Sequence, residues 1–387
     1  MAVSTVFFYE KTIEETVIID ALQYVLADFP LFAGVLRKEK GQLWIDCNNQ
    51  GVSLTVVHSK WELKNSELID EVNPNRMGKP VLRIKLTYFA DGRFAMGCSW
   101  HHCVGDMAAF MEFMKALSAR ARKEIYPLPI IPENREEYFR SPTAIAIEEH
   151  GLKYLNVRDI IRFIRQKCYF TKTLYLHFTD KEIHSMREEL CKQMGRKLSR
   201  NDVLCAHILE VLALCRTDGA ETHYASIAVN CRKTLNIASN AMGNSLGAIA
   251  LQFCRSVKAG SLAERIRDGI ANYLYDPTVA KQFVDANGGM ANVGRIVPKE
   301  FLPQYNNLIF SSWVNFGVYS IDFGVAPPYA FLPVGHIPLP WASRIVEGPN
   351  NQGRLVLLKL PSKVAKRLLQ PHMLQELHKY TVKDKTS

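Results

Sequence analysis

The chain has 387 residues, of which 48% are hydrophobic and 22% charged, with 22 Gly and 18 Pro. That is a globular composition, and it excludes a disordered tail, a collagen-like repeat and a small disulfide scaffold. The length allows two or three domains at ~100–200 residues each. The 48 Lys and Arg outweigh the 38 Asp and Glu to give a net charge of +10, which favours anionic partners. Nucleic acid is not expected, because the basic residues are scattered among acidic ones instead of clustering with aromatics; a phosphate-bearing small molecule suits the charge.

The N-terminal MAVSTVFFYEKTIEETVIID has no cationic lead, and Glu10 and Lys11 interrupt its apolar run, so no signal peptide is expected. No stretch reaches the ~18 apolar residues of a membrane span. The nine cysteines are odd in number, lack a CxxC pair and sit mostly in apolar runs, the pattern of reduced, buried thiols. These features together predict a cytoplasmic protein.

In chain order, VSTVFFYE has strand composition, and apolar residues at 17, 18, 21, 22, 25, 26 and 29 predict a helix stopped by Pro30. GQLWIDC and GVSLTVVH read as a hairpin across Asn48, Asn49 and Gln50, and VLRIKLTYF with RFAMGCSW as a second one. Met107, Phe110, Met111, Met114 and Leu117 then share one helical face. Residues 126–143, with four prolines, and the basic amphipathic stretch to Lys172 read as a crossover. Beyond it come the strand TLYLHFT, helices from Asp180 and over 200–216, the strands HYASIAVNC and SLGAIALQFC, a helix over 261–275, the strand NLIFSSWVNF, the loop DFGVAPP and the strand GRLVLLKL. Intermixed strands and helices in both halves predict an α/β chain of two comparable lobes. The expected divisions are 1–125, 126–172 and 173–387.

The chemistry concentrates in His101, His102 and Asp106 of SWHHCVGDM, where a strand meets a helix. A lone HxxxD is expected about 0.4 times by chance in such a composition, and doubling the histidine reduces this to roughly one in a hundred. Histidine takes and returns a proton near neutrality, with an ordinary pKa of ~6.5. At a strand end His102 can project into a cleft as a base, or sit as a satisfied core histidine. Asp106 suits capping of Ala108 or Ala109, or a structural ion pair. Neighbouring His101, His102 and Cys103 face alternate sides, and no second cluster completes four ligands, so no metal site is expected. No GxSxG elbow is present, so a covalent intermediate is not expected. Ser199, with Asp202 three residues on, reads as a capping box, and its helix start beside Arg200 would also suit a phosphate. Trp313 reads as core or as a pocket wall. Asp322 opens a turn that hydrogen bonds or a pairing would hold.

In order along almost the whole chain, FFYEKTIEETVIIDALQYVLADFPLFAGVLRKEKGQLWIDCNNQGV, HHCVGD, LSRNDVLCAHILEVLALCR, VNCRKTL, GNSLGAIAL, AERIRDGIAN and SSWVNFGVYSIDFG resemble the BAHD family of acyl-CoA-dependent acyltransferases. Three departures stand out. The strand and early acidic residue that usually precede the FFY segment are missing, so a short or truncated N-terminus is expected. The family's DFGWG reads Asp322, Phe323, Gly324, Val325, Ala326. Met107 stands where condensation domains and wax-ester synthases carry Gly.

The resemblance implies two chloramphenicol-acetyltransferase-like lobes with mixed sheets and a channel between them, with His102 midway as the general base. It implies acyl-CoA as co-substrate without a further cofactor, an alcohol or amine acceptor, and a monomer. Ser311 and Trp313 are its candidates for the oxyanion, and Ser199 and Arg200 for the donor. Asp106, Asp322 and Gly324 are implied to be structural, with Arg232 pairing either Asp106 or Asp322. Two other readings are a carrier-dependent, condensation-like transferase and a catalytically weak member that only binds ligand.

Overall fold

The computed structural model describes residues 1–39, 42–132, 152–167, 170–216, 219–271, 296–298, 302, 305–335 and 340–381. Much of the expected crossover, 133–151, and the end of the helix expected over 261–275 lie outside the described residues.

The first lobe is built on a five-stranded mixed sheet. Its strands are β1 (Ala2–Tyr9), β4 (Ser53–Ser59), β5 (Leu82–Phe89), β6 (Phe94–His101) and β13 (Ala330–Val334), in the order β13-β1-β6-β5-β4. β1 lies inside the sheet between β13 and β6, antiparallel to β6 from Ala2↔His101 to Tyr9↔Phe94, and nearly all of AVSTVFFY is buried, Ser4 and Thr5 included, because both its faces are covered. Helices α1 (Glu15–Asp28) and α2 (Met107–Ala121) pack together on this sheet. Phe29, Phe32, Phe110 and Phe113 fill the space between them.

The expected hairpin across Asn48, Asn49 and Gln50 does not form. Instead β2 (Val35–Glu39) pairs antiparallel with β3 (Gln42–Asp46), whereas β4 runs parallel to β5. The side chain of Asn48 accepts the Gln50 N–H, and Asn49 takes a left-handed φ of 58°, so this segment redirects the chain instead of folding it back. The hairpin signal that the sequence does carry is Lys40 and Gly41 between VLRKE and QLWID. The second expected hairpin, β5 with β6, is present.

The second lobe has a six-stranded mixed sheet, in the order β10-β9-β12-β14-β15-β8. Its strands are β8 (Thr171–Phe178), β9 (Thr222–Asn230), β10 (Leu246–Cys254), β12 (Leu308–Ser312), β14 (Ala342–Glu347) and β15 (Arg354–Pro361). Helices α4 (Asp180–Met194), α5 (Arg200–Cys215) and α6 (Ala259–Ala271) cover it, together with α7 (Ser362–Leu368) and α8 (Pro371–Leu377). α5 is buried on nearly every side and is therefore apolar all round. Two short strands, β7 (Leu152–Tyr154) and β11 (Ile296–Pro298), pair apart from both sheets, and α3 (Val157–Lys167) follows β7.

The lobes do not divide the chain at one point. β13 comes from the last third of the sequence yet pairs with β1, from Ser4↔Val334 to Phe8↔Ala330, and Phe331 packs on Phe7 with ring centroids 4.9 Å apart. Trp313, Ile321 and Phe323 join the same first core. A boundary at 172 or 173 therefore describes chain order, whereas these later residues complete the first lobe. The eight described cysteines are free, and Cys47 and Cys254 are exposed, unlike the buried thiols expected throughout. No helix among the described residues is long and apolar enough to cross a membrane.

One close approach holds the first sheet against the 3₁₀ turn Asn65–Leu68: a Cβ added at Gly97 would stand 1.8 Å from the Leu68 carbonyl oxygen. Gly97→Ala is expected to cost about 1–3 kcal/mol through the backbone shift it forces. A lowered midpoint in denaturant unfolding, with an unchanged m-value, is the readout.

Candidate active site

β6 delivers the HHCVGD turn to the face between the sheets. Trp100 stacks on Phe110 with centroids 3.9 Å apart and donates its indole N–H to the Gly105 carbonyl at 3.0 Å, so the turn is clamped against α2. The backbone of His102 is held from both lobes. Its N–H donates to the Met1 carbonyl at 2.8 Å, and its carbonyl accepts from Asn244 Nδ2 at 2.9 Å.

The paired histidines diverge as strand alternation requires. His101 Nδ1 accepts the Cys103 N–H at 3.1 Å and lies 2.7 Å from Cys103 Sγ. Burial pulls His101 down to about 4 and pushes the Cys103 thiol up to about 11. His101 is thus a neutral structural ring near pH 7, and Cys103 a protonated thiol. His102 instead lines a cavity of about 310 Å³ with Met107, Ala108, Ser311, Trp313 and Arg344.

That cavity is the middle of a row of three. At one end it shares Arg344 with a basin of about 690 Å³ that also holds Glu71, Thr173, Tyr175 and Lys359. At the other it shares Ala108, Asn230 and Phe316 with a basin of about 520 Å³ carrying Lys115 and Lys233. The two end basins have no residue in common. Through Asn315 the second one continues into a polar basin with Arg200, Arg354, Asp180 and Glu347.

Asp106 is 1% exposed and Arg232 4%. Asp106 Oδ1 accepts the Ala109 N–H at 3.0 Å, capping α2, and Oδ2 accepts Arg232 Nη1 at 2.8 Å and the Ser245 N–H at 2.9 Å. The remaining donors of Arg232 reach the carbonyls of Ala241 and Gly243 at 3.1 and 3.0 Å. Both expected roles of Asp106, cap and ion pair, are thus present together, and Arg232 pairs with Asp106 and not with Asp322. Asn244, Ser245 and Gly243 were not expected from the sequence, since nothing in GNSLG marks main-chain groups that receive a distant carboxylate and guanidinium.

Ser311 and Trp313 are adjacent, with the indole N–H donating to Ser311 Oγ at 2.9 Å. That donor is therefore committed, and the Ser311 hydroxyl is left with its own proton to donate. Ser199 accepts the Asp202 N–H at 3.1 Å while Asp202 accepts the Ser199 N–H at 2.8 Å, the expected capping box, and Arg267 also pairs with Asp202. Arg200 lies 3.3 Å from Asp180 on the surface.

The DFGVA loop stands apart from the cavity. Asp322 Oδ1 accepts the N–H groups of Gly324 at 2.8 Å and Val325 at 3.1 Å, and Gly324 takes a φ of 91°. The Asp322 carbonyl accepts from Ser118 Oγ at 2.7 Å and from Arg122. The loop is docked on the C-terminal end of α2, the end opposite Asp106.

The family model described as Transferase family matches residues 1–365. The chain belongs to this family, the BAHD acyltransferases. Curated relatives include the taxadien-5-alpha-ol O-acetyltransferase of Taxus chinensis, 23% identical over 81% of this chain and 72% of its own length. Another is the tryptamine hydroxycinnamoyltransferase 2 of Oryza sativa subsp. japonica, 25% identical over 81% of this chain and 76% of its own. F. sporotrichioides TRI101, crystallised with coenzyme A and T-2, superposes with a TM-score of 0.78 at 15% identity, covering 97% of this chain and 95% of that one. The BAHD chain is accordingly an acyltransferase with the family's two-lobed mixed α/β architecture.

Breaking the buried pair from either side leaves an uncompensated charge, typically ~3–5 kcal/mol. Asp106→Ala and Arg232→Met are each expected to destabilise by that order, and the double variant by much less than their sum. Thermal and denaturant unfolding of the three proteins provides the double-mutant cycle.

Proposed function

We propose that this BAHD protein moves an acyl group from acyl-CoA to an alcohol or amine by direct attack, with His102 as general base. The observation that carries the reading is the place of His102: on the wall of the cavity between two basins that share lining residues with it, with its main chain pinned by both lobes. The acceptor's proton passes to His102 as its oxygen or nitrogen attacks the thioester carbonyl. The carbonyl π pair moves to oxygen, and the Ser311 hydroxyl donates to that oxyanion while Trp313 holds Ser311 in place. Collapse breaks the C–S bond, and the departing thiolate takes the proton from His102.

The basins at one end hold the greater number of cations, interleaved with Glu112, Asp180 and Glu347. Lys115 and Lys233 on one basin, with Arg200 and Arg354 on its neighbour, suit the phosphates of the donor. The opposite basin, holding Glu71 and Tyr175, is then the acceptor's. Direct attack is favoured over an acyl-enzyme because the nearest thiol, Cys103, is held protonated and bonded to His101. The free thiols of the described cysteines support a reducing compartment, the cytoplasm.

His102→Ala is expected to lower turnover by at least ~10²-fold while the protein stays folded. Thiol release from a panel of acyl-CoAs with alcohols and amines measures it; wild-type rates in the variant would remove His102 from the mechanism.

Donor affinity is expected to fall as ionic strength rises, since exposed charges are screened beyond ~8–10 Å at physiological salt. Arg200→Gln and Lys233→Gln should each raise the KM for acyl-CoA severalfold at low salt with kcat unchanged. Initial rates against donor concentration at several salt levels test this.

A further inference from the structure

Arg344 is the one cation that walls both the central cavity and the acceptor-side basin. It projects from β14, beside Ser311 in the parallel pairing with β12, and reaches across to β13 of the other lobe, where Nη1 donates to the Val334 carbonyl at 3.2 Å. Its guanidinium carbon lies 5.1 Å from the centroid of the Trp313 ring, so the plane is held next to the residue that positions Ser311. A guanidinium has five N–H donors. Among the described residues the Val334 carbonyl takes one, and no carboxylate comes within 4.0 Å.

A half-buried cation without a contacting anion is costly, and burial pulls Arg344 down to about 10, with Glu71 across the basin acting in the opposite direction. Lys359, on the same basin, adds a second positive charge. An oxygen-rich anion would take up the guanidinium donors that the Val334 carbonyl leaves over, and a planar fork of donors matches a carboxylate best.

Resting on the acyltransferase reading above, we infer that Arg344 selects the acceptor: it binds the carboxylate of a hydroxy acid whose hydroxyl reaches His102. A protonated amine meets a like charge at the same place, so this chain acylates oxygen in preference to nitrogen. Arg344 is a specificity-determining residue here and takes no proton.

The spacing between Arg344 and His102 is sampled with unbranched hydroxy acids from 4-hydroxybutanoate to 8-hydroxyoctanoate, their methyl esters, and the amino alcohols of the same lengths. Two readouts are taken, equilibrium binding by calorimetry and thiol release from acetyl-CoA. For wild type, at least one hydroxy acid should bind about 10- to 100-fold more tightly than its ester, the range for a hydrogen bond to a charged group. The amino alcohol should bind more weakly than the ester. Arg344→Gln should abolish the acid's advantage over its ester, so that the two bind alike, and Arg344→Lys, which keeps the charge but loses the fork, should retain part of it. Equal binding of acid and ester by wild type, or an advantage that survives Arg344→Gln, would overturn the inference. An Arg344-dependent preference in binding without thiol release from any acyl-CoA would uphold the anion site and count against the transferase reading instead.

Discussion

The pair between Asp106 and Arg232 is the interaction on which the site depends. It joins the first turn of α2, in one lobe, to the connection between β9 and β10 in the other, and every polar atom of the carboxylate is satisfied by a cap, a main-chain amide or the guanidinium. In a protein whose total stability is of the order of 5–15 kcal/mol, a fully hydrogen-bonded buried pair is a large local constraint. Its effect is geometric. His102 stands four residues before Asp106, so holding Asp106 against the second lobe sets where the imidazole meets the wall formed by β12 and β14.

α2 acts as a ruler between the two recognisable motifs. Asp106 caps one end and Ser118 with Arg122 receives the DFGVA loop near the other. At 1.5 Å per residue the twelve positions between Asp106 and Ser118 span about 18 Å, which sets the DFGVA loop well away from the turn that carries His102. The loop's carboxylate closes its own turn, and this requires only the two N–H groups that Gly324 and Val325 supply. The replacement of the family's Trp by Val325 therefore falls on an exposed scaffold position.

The same frame explains why the middle cavity is the chemically distinctive one. Its wall is assembled from the ends of strands in both sheets, so small residues such as Ala108, Ala228, Ser311 and Ala342 leave room that neither lobe alone would enclose. The basins at both ends of the row carry mixed charge: Glu112, Asp180 and Glu347 stand among Lys115, Lys233, Arg200 and Arg354 at one end, and Glu71 beside Arg344 and Lys359 at the other.

The sequence by itself determined most local elements, because periodicity and capping are local: the amphipathic α1 and α2, the β5–β6 hairpin, the Ser199–Asp202 box and the Asp106 cap all form from residues within a few positions of one another. It also pointed to His102 and to the family, through motifs in order. Arg344 carried a weak signal, the lone cation of the strand ASRIVE, and was passed over. Only the tertiary structure decided that Val35–Glu39 pairs with Gln42–Asp46, that Ala330–Val334 completes the first sheet, that Arg232 chooses Asp106 over Asp322, and that Trp313 spends its N–H on Ser311. For β13 and Arg232 the reason is that strand partners and buried polar partners are chosen by which groups meet once distant parts of the chain pack together; for the β2–β3 hairpin and the Trp313–Ser311 bond the partners are near in sequence, but several local pairings were open and packing selected one.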